Sequence, residues 1–390
     1  MNNELKVVPA TELDDRPTEI NICCIVKNDV SIKKMIESFK YISDRFFILD
    51  MMSTDETLKI IQDMIFDEKL PIVLFEQPFE NFVHSKNFIL NKTYTYLRNH
   101  QDKKQVIIFV ESDEYLVKGY EENLPFEELK FLSIRKRIEN IQPNQVFKID
   151  INRLDDNYQY TSDRIWVYNP SKPLFFNGPF GFEYLDVTNH QIINTDITFN
   201  CQMNPNVDIN NKLNLCIELL NKYISMSNNQ DKNWMRAMFY LGQTYKYKGD
   251  SNKAIEKWET YLMNYNPQFH NNPSERFIVA YNIAQEYYEK GFMQLAMNCA
   301  RKCIEEYKDT TCFRREPYLI IYSILFNQYW DNKDDLEKII YKIELVINTE
   351  SNPQPTTKDF DTKTIFYLEE LKKQILERVS QLGEQDGINL

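Results

Sequence analysis

Four short runs of branched and aromatic residues, at 22–26, 46–49, 72–75 and 106–110, alternate with windows of helical periodicity. That alternation constrains the fold more than any other feature of the chain. Each run is continuous rather than two-periodic, which is the pattern of a strand covered on both faces. Between them Ile32, Met35, Ile36 and Phe39 keep an i, i+3, i+4, i+7 stripe, and Leu58, Ile61 and Ile65 repeat it. Both windows predict helices packed on a sheet. Ser53 and Glu56 have capping-box spacing at the start of the second helix. The βαβ order predicts a parallel sheet whose ligands gather at the carboxyl ends of its strands.

From about 120 to 200 the pattern loosens. Strand-like pieces at 146–149, 165–168 and 174–176 are interrupted by Pro170, Pro173, Gly178, Pro179 and Gly181. This stretch is expected to extend the same sheet with an irregular wall. After residue 205, at Asn204-Pro205-Asn206, strand-like runs stop and paired helical windows take over. Ala237, Leu241, Gly242, Tyr245, Gly249, Asp250, Ala254, Trp258 and Tyr261 fall in the order of a tetratricopeptide unit, and Ala280, Ile283, Ala284, Tyr287, Gly291, Ala296, Ala300 and Cys303 repeat it. Tyr245 to Tyr287 and Ala254 to Ala296 are each 42 residues apart, against a usual period of about 34, which places about eight extra residues around Pro267 to Pro273. A third helix pair is expected over 316–349, a break at 351–355, and a last helix over 362–380. The expected organisation is a tail at 1–19, an α/β domain at 20–204 and an all-α repeat domain at 205–390.

Composition excludes several functions. A chain of 390 residues is too long for one ordinary core. Its 46 Lys and Arg against 58 Asp and Glu give a net charge of −12, so no overall positive field draws it to nucleic acid. With 8 Gly against 24 Tyr and 25 Phe, and neither G-x-G-x-x-G nor a P-loop, a glycine-rich phosphate cradle is not expected. No apolar run reaches the roughly 18 residues of a membrane span, and the polar, acidic start lacks the order of a secretory signal; the expectation is a soluble cytoplasmic protein. Seven cysteines without a C-x-x-C pair predict buried free thiols, and four histidines argue against a histidine-rich metal centre.

Polar clusters close three of the strand-like runs. These are Val26-Lys27-Asn28-Asp29, the segment Asp50-Met51-Met52-Ser53-Thr54-Asp55-Glu56-Thr57, and Glu111-Ser112-Asp113-Glu114; a fourth segment reads Phe82-Val83-His84-Ser85-Lys86-Asn87. In this order and spacing, over about 20–265, the chain resembles the family 2 nucleotide-sugar-dependent glycosyltransferases of GT-A (Rossmann-like) fold, in the subgroup with tetratricopeptide repeats behind the catalytic domain. The resemblance implies a nucleotide-sugar donor, a UDP-sugar, and a glycan or protein acceptor, with inverting chemistry. It places Lys27, Asn28, Asp50 and Asp55 in the donor pocket, Glu111 at the ribose or metal shell, and Lys86 at a phosphate. It assigns Asp113, with His190 as a further ligand, to a Mn²⁺ or Mg²⁺ ion, hard cations suited to oxygen ligands. Glu183 is the expected base, with Asp186 in reserve. The repeats would hold the acceptor or a protein partner on their concave face.

Four positions depart from the family pattern. Met52 stands for glycine, Glu111 for the first aspartate of D-x-D, Lys86 for arginine and Phe182 for the histidine of a His-Glu pair. They point to the alternative, a catalytically silent scaffold that binds protein through its repeats.

Overall fold

In the computed structural model, residues 16–116, 127–154, 158–202, 208–229, 231–267, 273–307, 314–349 and 358–388 are described. Most of the expected tail, the junction at 204–206, Cys312, most of the 267–273 insertion and the break at 351–355 lie outside these residues. The chain divides into two units, Met1–Ile209 and Asn210–Leu390.

The first unit is a mixed α/β sheet. Its elements are β1 (Thr18–Val26), α1 (Ile32–Phe39), β2 (Arg45–Asp50), α2 (Thr57–Phe66), β3 (Ile72–Glu76), α3 (Phe82–Leu97), β4 (Lys104–Glu111), β5 (Glu114–Leu116), α4 (Glu127–Glu139), β6 (Gln145–Arg153), β7 (Tyr158–Val167), β8 (Phe176–Asn177), β9 (Tyr184–Leu185) and β10 (Gln191–Cys201). Eight strands form one sheet in the order β3-β2-β1-β4-β7-β6-β10-β5, and β8 pairs with β9 separately. The first four are parallel as expected. The extension is not wholly parallel: β7 runs antiparallel to both β4 and β6. The link between β6 and β7 covers only residues 154–157, too few for a crossover, so an antiparallel pair is the available solution.

Alternation along β1 feeds two cores. Ile20, Ile22, Cys24 and Val26 join Ile32, Met35, Ile36 and Phe39 of α1 and Ile61 and Met64 of α2 on one face. Cys23 and Ile25 join Ile89, Leu90, Tyr94 and Leu97 of α3, with Trp166 and Phe176, on the other. The expected capping box at α2 is absent. Glu56 is the N-cap and makes no side-chain cap bond, because the Ser53 hydroxyl is used in the loop before it. The Leu174–Phe176 piece contributes only its last residue to a strand.

The second unit is helical in all its described elements: α5 (Ile209–Met226), α6 (Lys232–Tyr247), α7 (Ser251–Asn264), α8 (Pro273–Glu289), α9 (Met293–Tyr307), α10 (Glu316–Gln328), α11 (Lys333–Asn348) and α12 (Lys358–Ile388). The repeat letters mark its turns. Gly249 and Gly291 adopt φ of 81° and 80° just beyond α6 and α8, and the following N–H groups of Asp250 and Phe292 reach back to Tyr245 O and Tyr287 O, each at 2.9 Å. This left-handed cap closes a helix by satisfying its last carbonyls. Gly242 is required for a different reason: a Cβ there would lie 2.3 Å from the Trp258 indole. Among the described residues no helix is long and apolar enough to cross a membrane.

Candidate functional site

Register places the polar strand ends side by side. Val26 pairs with Asp50 on β2 and Ile25 pairs with Glu111 on β4, so Asp50 and Glu111 flank the end of β1. Hydrogen bonds then tie the three loops together. Asn28 N–H donates to Ser53 Oγ at 2.9 Å, and Asn28 Oδ1 accepts from Thr54 N–H at 2.7 Å. On the other side Ser112 Oγ bonds Asp29 Oδ2 at 2.6 Å. Asn28 and Met52 hold φ of 50° and 60° in these turns, a region where asparagine is tolerated and methionine is strained.

Asp50 is fully buried and serves its own loop. Its carboxylate accepts from Ser53 N–H at 3.0 Å and from Ser53 Oγ at 2.5 Å. Asp55 accepts from Thr57 N–H at 3.0 Å, which starts α2. Lys27 is exposed, with its ammonium 5.7 Å from the Phe79 ring centroid.

The second half of the site is organised by α3. Asn81, extended at φ −164°, caps the helix by accepting from His84 N–H at 2.8 Å, and Lys86 and Asn87 follow one turn later. Asn87 binds both backbone groups of Phe176, donating to its O at 2.9 Å and accepting from its N–H at 2.8 Å. The amide thus imitates a strand partner and anchors β8. Gly178, at φ 122°, then turns the chain back; a Cβ there would meet Phe182 O at 2.9 Å. This turn delivers Glu183 to Lys86.

Lys86 is neither solvated nor open to a phosphate in the way expected. Its ammonium is 2.5 Å from Glu111 Oε1 and 2.5 Å from Glu183 Oε1, with 5% of the side chain exposed. The rings of Phe109 and Phe176 lie 5.2 and 4.9 Å away. Arg164 on β7 adds a second cation, 3.3 Å from Glu111 Oε1 and 2.9 Å from Glu114 Oε1. Burial alone would raise both carboxyls. At Glu111 the two cations overcome it and hold the group at about 2. At Glu114, fully buried, desolvation outweighs Arg164, with Glu111 adding to the rise, and the carboxyl is pushed up to about 7. Lys86 itself is raised, because its two carboxylate neighbours outweigh burial.

Arg164 was not among the residues singled out from sequence, and Glu114 entered only as the last residue of the Glu111–Glu114 cluster, without a role. The available signal was an arginine directly before the strand-like run at 165–168, since a charged residue in a buried strand needs a charged partner.

The expected metal ligands are not brought together. Asp113 is half-buried and hydrogen-bonded to the Cys201 thiol, whose pKa burial and Asp113 raise. His190 precedes β10, whereas Asp113 O accepts from Gln202 N–H just beyond its far end. β10 is irregular between Asn194 and Thr198, and the β6 stretch paired with it runs from Gln145 to Arg153, so roughly 26 Å separates them at about 3.3 Å per residue, which removes His190 from any shared coordination. Burial lowers the His190 imidazole, with Lys172 adding to the effect. Asp186 accepts from Thr188 N–H and Oγ in a local turn. Among the described residues no three His, Cys, Asp or Glu side chains are placed to hold an ion. With Glu111 Oε1 occupied by two cations, the residues do not fit a resident Mn²⁺ or Mg²⁺.

In the second unit, α8, α10 and α12 line an open cavity of about 380 Å³ whose walls include Tyr281, Tyr288 and Tyr367 with Gln285, Glu289 and Glu370 among its polar groups.

No family model matches the chain, and no curated protein matches it. Among solved structures, it is similar to S. aureus TarS 1-349 in complex with UDP-GlcNAc, at 10% identity and a TM-score of 0.36, covering 93% of this chain and 92% of that one. It is also similar to the mannosyltransferase PcManGT from Pyrobaculum calidifontis in complex with GDP-Man and Mn²⁺, at 9% identity and 0.34, covering 76% and 91%. A Podosopora anserina putative kinesin light chain with TPR-like repeats matches at 16% identity and 0.30, covering 45% of this chain and 90% of that one. Scores this low leave the functional reading to the chain's own residues. The architecture itself is plain: a mixed α/β sheet unit followed by an all-helical, repeat-like unit.

Proposed function

We propose that the first unit binds a nucleotide-sugar donor at the joined carboxyl ends of β1, β2 and β4 and transfers its sugar, with inversion, to a glycan or protein acceptor. The observation that carries this reading is the hydrogen-bonded convergence of the three loops through Asn28 and Asp29, at the edge where open α/β sheets bind ligands. Lys27, Asn28 and Asp55 line the nucleoside end, while Asp50 shapes the loop rather than touching the donor. Glu183 is the base: Lys86 fixes its Oε1, and the acceptor proton goes to Oε2 as the acceptor oxygen attacks the anomeric carbon and the bond from that carbon to the diphosphate breaks, the nucleoside diphosphate leaving with the electron pair. UDP is the favoured nucleotide. The helical unit holds the acceptor or a protein partner, and its tyrosine-lined cavity offers faces suited to either.

Isothermal titration with UDP-, GDP- and dTDP-sugars, together with donor hydrolysis, tests this reading. Glu183→Gln is expected to keep donor binding and to lower hydrolysis by about 100-fold or more. Absence of binding to every donor would overturn the proposal. A second reading, a silent scaffold, is favoured by one specific observation: the Lys86 ammonium is shared by both Glu111 and Glu183. Donor binding without any turnover would select it.

A further inference from the structure

We infer that Lys86 is the resident cation of this site, so that the first unit binds its nucleotide diphosphate without a divalent ion. The inference rests on the nucleotide-binding reading above and concerns how that site handles charge. The ammonium lies 2.5 Å from one oxygen of Glu111 and 2.5 Å from one of Glu183, so it sits directly between the two carboxylates. The position of an ion between these two carboxylates is therefore filled by the protein itself.

The ammonium is also held in place. Its helix is fixed by the Asn81 cap, and Phe109 and Phe176 flank the charged end. Arg164 puts a second positive charge on the same Glu111 oxygen, so an incoming divalent ion would face two fixed cations. A buried group without a partner here is Arg164 Nε. It is a donor, and a surplus donor calls for an anion rather than for more positive charge. Two of the residues that depart from the family pattern, Lys86 and Glu111, are thus the two ends of one ion pair. Lys86 and Arg164 together face Glu111, Glu114 and Glu183, which lowers the repulsion those carboxylates would exert on a diphosphate.

The test is calorimetric titration of the full chain with UDP and with GDP, once in EDTA and once in Mn²⁺, alongside Mn²⁺ titration followed by electron paramagnetic resonance. Nucleotide affinity is expected to differ by less than about threefold between the two conditions, with no Mn²⁺ bound to the protein alone. Lys86→Met is expected to weaken nucleotide binding in EDTA by about 10-fold or more, since it leaves two carboxylates facing the anion, and Lys86→Arg to retain it. Binding seen only with Mn²⁺ would overturn the inference and leave the nucleotide site standing. Binding under neither condition would overturn both. Unchanged metal-free binding in Lys86→Met would also overturn it, and if that variant does not fold, the wild-type comparison decides alone.

Discussion

Replacing Arg164 by methionine isolates the energetic core of the site. Arg164 is 6% exposed and Glu114 is fully buried. In the wild type Glu114 receives the Arg164 guanidinium at 2.9 Å and the Glu111 N–H at 2.9 Å; in the variant only the latter remains. Glu111 keeps Lys86, so the cost falls mainly on Glu114. Removing one partner of a buried pair costs about 3–5 kcal/mol, which for a unit of this size corresponds to roughly 6–20 °C in Tm. The cost must depend on pH. Glu114 has a folded pKa of about 7 against an ordinary value of 4.5, so between them the folded state binds more protons and stability falls as pH rises through that window. Without Arg164 the folded value climbs further. At pH 5 Glu114 is protonated in both proteins; by pH 8, one unit above its wild-type value of about 7, its ionisation enlarges the deficit by at most about 1.4 kcal/mol. Adding Glu114→Gln should remove the pH dependence and recover most of the loss. Hydrogen exchange of β4 and β7 peptides in increasing urea reads the first unit within the intact chain. A deficit below about 1 kcal/mol at pH 8, or one equal at pH 5 and pH 8, would refute the reasoning.

In the helical unit, Gly242→Ala should destabilise by about 1–3 kcal/mol by overpacking, because the new methyl meets the buried Trp258 ring; Gly249→Ala, with open space around it, should cost only about 1–2 kcal/mol of backbone strain. Urea unfolding followed by tryptophan fluorescence separates them. Tyr94→Phe removes the 2.5 Å bond from its hydroxyl to Leu174 O and should cost about 1–3 kcal/mol by leaving a buried carbonyl unpaired, visible as a lower urea midpoint with unchanged slope. At Asn28, glycine should keep the positive φ and lose only the bond to Thr54, whereas alanine loses both; donor affinity should fall in the order wild type, Asn28→Gly, Asn28→Ala, and equal affinities would detach this loop from the donor.

The parts of the fold that were legible in sequence are those set by local periodicity. The continuous runs of β1, β2 and β4 and the Ile32-to-Phe39 stripe report burial directly, and the repeated Gly249 and Gly291 report the turns that need them. Strand direction beyond β4 was not legible, because antiparallel pairing of β7 is decided by a short link rather than by any apolar pattern. The polar edge of the sheet was readable as three clusters, but what each group does there was not. Ser53 spells a helix cap in one dimension and is drawn to Asp50 in three. Lys86 reads as a phosphate contact until Gly178 folds Glu183 over it. A buried ion network depends on partners far apart in sequence, such as Glu111 and Arg164, and no local spacing announces it.

Cys23 and Cys24 are adjacent on the central strand, yet each faces a different helical layer. Both are fully buried, and burial raises both thiols, Cys23 to about 12 and Cys24 well above its ordinary value. Neighbouring sulfurs of equal covalent accessibility thus become independent clocks for the peeling of opposite sides of the same sheet. If an alkylating reagent modifies the two at one common rate, the layers detach together. A faster Cys24 would mean that the α1–α2 side lifts while the α3 side, with Lys86 and its carboxylates, stays closed.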